Sequence, residues 1–237
     1  MTIDKERIAV IGAGIVGINC ALELQSRGFQ VTLFDKAGIG EGCSKGNAGH
    51  FATEQVFPLA EAGLLIQLPK MLLDPLGPIA LSPSYLPKAI PWFIKFIANM
   101  FSAKRRKNTQ ALKRLNENAI DYYKPLLAAA DAEHLLTESG SLLVFEQTPI
   151  DKIKAIQQSY QAQNVSVELL DREQTLALEP KLHPNINHAL YFTDVAHTIS
   201  PLGLSQALAN YAVQLGCQFK QFEVKHIEHT ETGVTLS

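Results

Sequence analysis

Three glycines and one acid carry the clearest chemical spacing in this chain. Gly12, Gly14 and Gly17 form G-x-G-x-x-G, and Asp35 stands 23 positions after Gly12. A glycine at the first position permits a tight turn. One at the second lets an anion approach bare backbone, and one at the third lets a helix pack close to a strand. The N–H groups that open that helix, together with its macrodipole, favour phosphate. The set predicts a dinucleotide site built from Gly12, Ala13, Gly14, Ile15, Val16 and Gly17. Asp35 is expected to accept from ribose hydroxyls, with Lys36 beside it.

A second group follows directly, in K-A-G-I-G-E-G-C-S-K-G-N-A-G-H-F, residues 36–51. Its glycine density excludes a regular helix or strand. It reads as a loop wrapped on a flat or anionic ligand. Ser44 and Lys45 are candidate phosphate donors, with Asn47, Ala48, Gly49 and His50 further along the same ligand. Elsewhere no Ser-His-Asp set, H-x-x-x-H or C-x-x-C occurs, and the histidines (His50, His134, His183, His188, His197, His226, His229) are scattered. No metal site is expected.

The elements that must position these groups are legible nearby. Ile8–Ile11 is an apolar run suited to one buried parallel strand. A helix follows to Ser26, stopped by Arg27-Gly28, and a second strand, Gln30–Phe34, leads to Asp35. This is a β-α-β unit. Further on, residues 56–81 are apolar but broken by Pro58, Pro69, Pro75 and Pro78. Residues 86–101 predict an aromatic-rich amphipathic helix followed by the basic run Lys104, Arg105, Arg106, Lys107. Such a pair suits an anionic membrane surface as well as a helix packed over a pocket. Residues 108–130 predict one long helix with a buried stripe of Leu112, Leu115, Ala119, Tyr122 and Leu126, which Pro125 should kink or end in its regular part. Strands are expected at 141–145, 165–170, 189–192 and 217–222, with helices at 148–163, after the Asp171–Gln174 capping box, and after Ser200-Pro201. Residues 225–237 predict a hairpin turning at Glu231-Thr232-Gly233.

Length and composition permit a large core: 237 residues, 46% hydrophobic and 19% charged. A net charge of −2 gives no bulk attraction for nucleic acid, and three cysteines (Cys20, Cys43, Cys217) without paired spacing suit a reducing compartment. No signal peptide is expected at the start.

The glycine fingerprint, the acid after strand two and the run G-I-G-E-G-C-S-K-G-N-A-G together resemble the FAD-dependent D-amino-acid-oxidase-like (DAO) family. The S-x-x-N-A-G element resembles its D-amino-acid dehydrogenase branch. The resemblance implies FAD held by Gly12, Ala13, Gly14, Ile15, Val16, Gly17, Asp35, Lys36, Ser44, Lys45, Asn47, Ala48 and Gly49, with Val224 at the adenine. It puts His50 nearest the flavin ring, where catalytic and structural roles both stay open, and it assigns no catalytic residue. It implies an α/β fold (α+β overall): a Rossmann-like FAD-binding domain with a three-layer ββα/βαβ nucleotide unit, and an inserted substrate domain with a mixed, mostly antiparallel sheet. The expected division is 1–55 and 199–237 for the FAD-binding domain and 56–198 for the substrate part with a helical insertion. The family's length implies that a C-terminal part is missing. The implied activity is oxidation of a D-amino acid or similar small amine to an imine, then a 2-oxo acid and ammonia. The implied partners are a small amino-acid substrate and an electron acceptor such as a membrane quinone or the respiratory chain. The implied location is cytoplasmic, peripheral on the inner face of the cytoplasmic membrane through residues 86–107. An NAD(P)-dependent Rossmann dehydrogenase and an inactive truncated remnant or partner chain stay open as alternatives.

Overall fold

The computed structural model describes residues 6–74, 82, 84–231 and 233–237. Pro75 and Pro78 of the proline-broken stretch, and Thr232 of the expected turn, lie outside the described residues. In chain order the elements are β1 (Arg7–Ile11), α1 (Ile15–Ser26), β2 (Gln30–Asp35), β3 (His50–Phe51), α2 (Ala62–Leu73), α3 (Leu86–Ala98), α4 (Ser102–Asn116) and α5 (Ala119–Ala129). There follow β4 (Leu136–Thr137), β5 (Ser141–Phe145), α6 (Ile150–Gln161), β6 (Val167–Asp171), α7 (Arg172–Leu178), β7 (His188–Phe192), β8 (Ala196–Thr198), α8 (Pro201–Gln214), β9 (Gln218–Gln221), β10 (Ile227–Thr230) and β11 (Gly233–Leu236). The chain divides into two compact units. One takes in the chain up to Phe51, Ile120–Gln147 and Glu168–Ser237, and the other Ala52–Ala119 and Thr148–Val167.

The first unit is built on a parallel sheet in the order β1-β2-β9. Ile8 pairs with Val31, and Leu33 pairs with Phe219. α1 packs against β2 and α8, because Ile18, Ala21 and Leu22 repeat on one helical face toward Leu208, Ala209 and Ala212. β1 is less buried than its apolar run predicts. It lies at the sheet edge, its residues alternate in exposure, and Ile11 is 49% exposed. The same unit holds two further three-stranded sheets, β3-β8-β4 and β5-β7-β6, and the β10-β11 hairpin. The β5–β7, β3–β8 and β4–β8 pairs are antiparallel. The Asp171 capping box and the Ser200 cap form as expected: Gln174 N–H donates to Asp171 Oδ1 at 2.9 Å, and Gly203 N–H donates to Ser200 Oγ at 3.0 Å.

In the second unit α3 buries none of its side chains. Leu86, Ile90, Trp92, Ile94 and Ile97 are all more than two-fifths exposed. The basic run forms the first turns of α4. Arg105 turns inward, donating to Ala60 O at 2.8 Å and Pro58 O at 3.2 Å and lying 6.0 Å over the Phe57 ring.

The single helix expected over 108–130 is instead two, α4 and α5. The break falls at Glu117–Asn118, and Pro125 sits inside α5. The expected stripe changes accordingly. Leu115 is 76% exposed and Tyr122 is 70% exposed, while Ile120 and Leu127 are buried.

Candidate functional site

The site grows from the turn between β1 and α1. Gly12 N–H donates to Phe34 O at 2.7 Å, so the turn stays fastened to β2. A Cβ on Gly17 would stand 1.9 Å from Gly12 O, so no side chain fits where the helix crosses the turn. Gly14 caps α1 and contributes no side-chain bond of its own. The bond comes from a distant residue: Ile15 N–H donates to Ser44 Oγ at 2.9 Å. The first turn of a helix leaves N–H groups without intrahelical partners. Here one of them already has an oxygen acceptor where an anion oxygen would bind. Bare backbone at Gly14, where a Cβ would come within 3.1 Å of Ser44 Oγ, keeps that approach open. These residues fit a pyrophosphate.

α1 is braced from its own unit by Tyr123. Asn19 Nδ2 donates to Tyr123 Oη at 2.9 Å and to Ile15 O at 2.8 Å. Tyr123 also meets Phe51 edge-on at 4.9 Å. Burial pushes the Tyr123 hydroxyl up, outweighing the Asn19 bond. No local motif announces this brace, since it joins α1 to α5.

Asp35 does more than wait for a ribose. Oδ2 accepts from Ala13 N–H at 2.8 Å, and Oδ1 accepts from Ala37 N–H at 2.8 Å and Gly38 N–H at 3.1 Å. A carboxylate has about four acceptor positions, so one remains for a ligand hydroxyl. Burial raises the Asp35 carboxyl, but the three N–H bonds and neighbouring Lys36 outweigh it and hold the pKa below the usual carboxylate value. Lys36 itself pairs with Glu223 at 3.7 Å. Gln221, which sequence reasoning missed, reaches the carbonyls of Lys36 and Ala37 at 3.4 and 3.5 Å.

The glycine-dense loop is ordered by its own groups. Gly40 N–H donates to Ala13 O at 2.8 Å, tying the loop to the first turn. Asn47 braces it: Nδ2 donates to Ser44 O at 2.9 Å, and Oδ1 accepts from Gly49 N–H at 2.7 Å. Gly49 has φ +68°, and a Cβ there would lie 2.6 Å from Thr198 O, so only glycine suits the position. Lys45 Nζ pairs with Glu41 at 2.7 Å. Ala48 and His50 are exposed, and Val16 is 75% exposed. Val224 lies half-buried between β9 and β10, two residues beyond Phe222, whose N–H donates to Asp35 O at 2.9 Å.

The turn, the carboxylate, the cross-chain cap and the loop thus share one end of the β1-β2-β9 sheet. The family model described as FAD dependent oxidoreductase (DAO) matches residues 7–237. A D-amino-acid oxidase of Bradyrhizobium diazoefficiens is 31% identical over 99% of this chain and 55% of its own length. A D-amino acid dehydrogenase 2 of Ralstonia nicotianae is 34% identical over 74% of this chain and 42% of its own. Among solved structures, glycine oxidase from Geobacillus kaustophilus (TM-score 0.62, 19% identity) covers 98% of this chain and 51% of its own. L-proline dehydrogenase from P. horikoshii (TM-score 0.61, 18% identity) covers 98% and 50%. These two share the fold. The chain spans about half the length of the curated relatives it matches.

Proposed function

The chain belongs to the DAO family of FAD-dependent oxidoreductases, and on that premise we propose that the protein oxidises a D-amino acid or a similar small amine. FAD, when bound, supplies the acceptor for the hydride that leaves the substrate α-carbon. The resulting imine takes up water and gives a 2-oxo acid and ammonia. The observation that carries the reading is the joining of the Gly14–Ile15 helix start to Ser44. A generic nucleotide turn has no need of a second loop bonded over its helix N-terminus. That loop also distinguishes this reading from an NAD(P)-dependent dehydrogenase.

In this reading the α1 N-terminus holds the pyrophosphate, with Ser44 and the 46–49 backbone along it. Asp35 offers its remaining acceptor position to the adenosine ribose, and the Lys36–Glu223–Val224 corner flanks the adenine. Residues 1–55 and 199–237 serve the cofactor, and 56–198 serve the substrate side. The electron acceptor is a membrane quinone or another respiratory carrier, met through α3 and the start of α4. No helix among the described residues is long and apolar enough to cross a membrane. The exposed apolar side chains of α3, followed by the exposed cations Lys104, Arg106 and Lys107, suit attachment to the surface of an anionic bilayer.

Dye reduction tests the activity. Purified protein loaded with FAD should bleach a redox dye when a D-amino acid is added and leave it unchanged with the L-enantiomer. Equal rates with both enantiomers would set aside the substrate class. Flavin-free protein that reduces NAD+ would set aside the whole reading.

A further inference from the structure

We propose that His50 and His197 together bind a divalent transition ion of the zinc, nickel or copper(II) class across strands β3 and β8. The inference goes beyond the activity proposed above. The two residues are distant in sequence, and strand pairing makes them direct partners. Thr198 N–H donates to Gly49 O at 2.7 Å. This is the bond between the residue after His197 and the residue before His50, so the His50–His197 pair is of the non-hydrogen-bonded kind. In such pairs the Cα atoms lie only about 4.5 Å apart and the side chains are closest.

Both rings leave the sheet on the same face, because directly opposed residues do so. That face is turned from the core. The alternating neighbours Ala196 (0% exposed) and Thr198 (5%) are buried, and Phe51 packs against the hydrophobic cluster. His50 is exposed and His197 half-buried. Thr137, opposite His197 on β4, adds a hydroxyl to the same row. Two imidazoles at this spacing reach one ion at the ordinary metal–nitrogen distance of about 2.0–2.1 Å. The backbone under them is already fixed by the Asn47–Gly49 and Gly49–Thr198 bonds.

Among the described residues no group of three or more His, Cys, Asp or Glu side chains gathers. The site is therefore an open one, with water in the remaining positions. Imidazole donors select zinc, nickel and copper over magnesium and calcium. The ion ties the end of the 44–49 loop to the central strand of its sheet. Sequence spacing carries no sign of the site, since the two residues meet only through pairing.

The test uses the full 237-residue chain. Zinc and nickel chlorides should raise its unfolding midpoint, and magnesium chloride should not. Loss of even an outer partner of a metal ligand weakens binding about 10- to 100-fold. His50→Asn and His197→Asn should each weaken zinc binding at least that much, and the double variant should be no worse than either alone. A zinc response that survives in the double variant overturns the proposal. A measurement on the unaltered chain needs no variant to fold. Substoichiometric copper(II) should give an electron paramagnetic resonance spectrum with two imidazole nitrogens, and a single nitrogen overturns the proposal.

Discussion

Asp35 shows how a residue expected to touch a ligand also builds the place where the ligand goes. Its carboxylate gathers three N–H groups from the turn after β1 and the loop after β2. The pKa depressed by those bonds has a consequence for stability. A carboxylate favoured in the folded state stabilises it above the unfolded pKa, about 3.9, and loses that contribution as pH falls through the lower folded value. Asp35→Asn leaves at most one acceptor oxygen for three donors. The variant should melt lower at neutral pH, and the gap to the unaltered chain should close as the pH falls below about 4. Thermal melts across pH would read this, and a gap that stays constant to pH 2 would set the Asp35 account aside. Gly49 gives a simpler case. Gly49→Ala combines a left-handed backbone, which costs a non-glycine residue about 1–2 kcal/mol, with a Cβ too close to Thr198 O. A lower melting temperature by calorimetry is expected, with a larger loss than for Gly46→Ala, whose added Cβ meets nothing within 4 Å.

At the scale of elements, α1 depends on a cap it does not carry. Ser44→Ala removes the acceptor for Ile15 N–H and should destabilise the fold by about 0.5–2 kcal/mol, the range for losing a helix cap. The deficit should shrink when FAD is added, because a phosphate oxygen can replace the hydroxyl. An equal deficit with and without FAD would contradict a pyrophosphate at this helix start. For α3, the outward turn of its apolar side chains predicts flotation with liposomes rich in anionic lipid. Neutralising Lys104, Arg106 and Lys107 should abolish it, whereas Arg105 is excluded from that test because it holds Pro58 and Ala60. No flotation of the unaltered chain would end the membrane reading. These elements also mark what the sequence makes legible. The β1-α1-β2 unit, the Asp171 and Ser200 caps and the final hairpin are local, written in glycine spacing, cap residues and apolar runs. The strands β3, β4 and β8 are two or three residues long, too short for any periodicity, and exist only because they pair with one another. The break between α4 and α5 has no proline or glycine to announce it. The inward Arg105 and the Asn19–Tyr123 brace depend on residues brought together from afar.

For the whole molecule, the nucleotide end is self-contained: glycine turn, Asp35 clamp, Ser44 cap and Asn47 brace all lie within one compact unit. In the same unit β1 occupies an edge of its sheet, with Ile11 half exposed. The chain matches its family over residues 7–237 while spanning about half the length of its curated relatives. Titration of the purified 237-residue chain with FAD, followed by quenching of flavin fluorescence, tests the central claim most directly. The expected result is saturable binding that ADP displaces, that NAD+ does not, and that Gly14→Val removes by filling the space beside Ser44. Binding of NAD+ in preference to FAD, or FAD binding unaffected by Gly14→Val, would contradict the account.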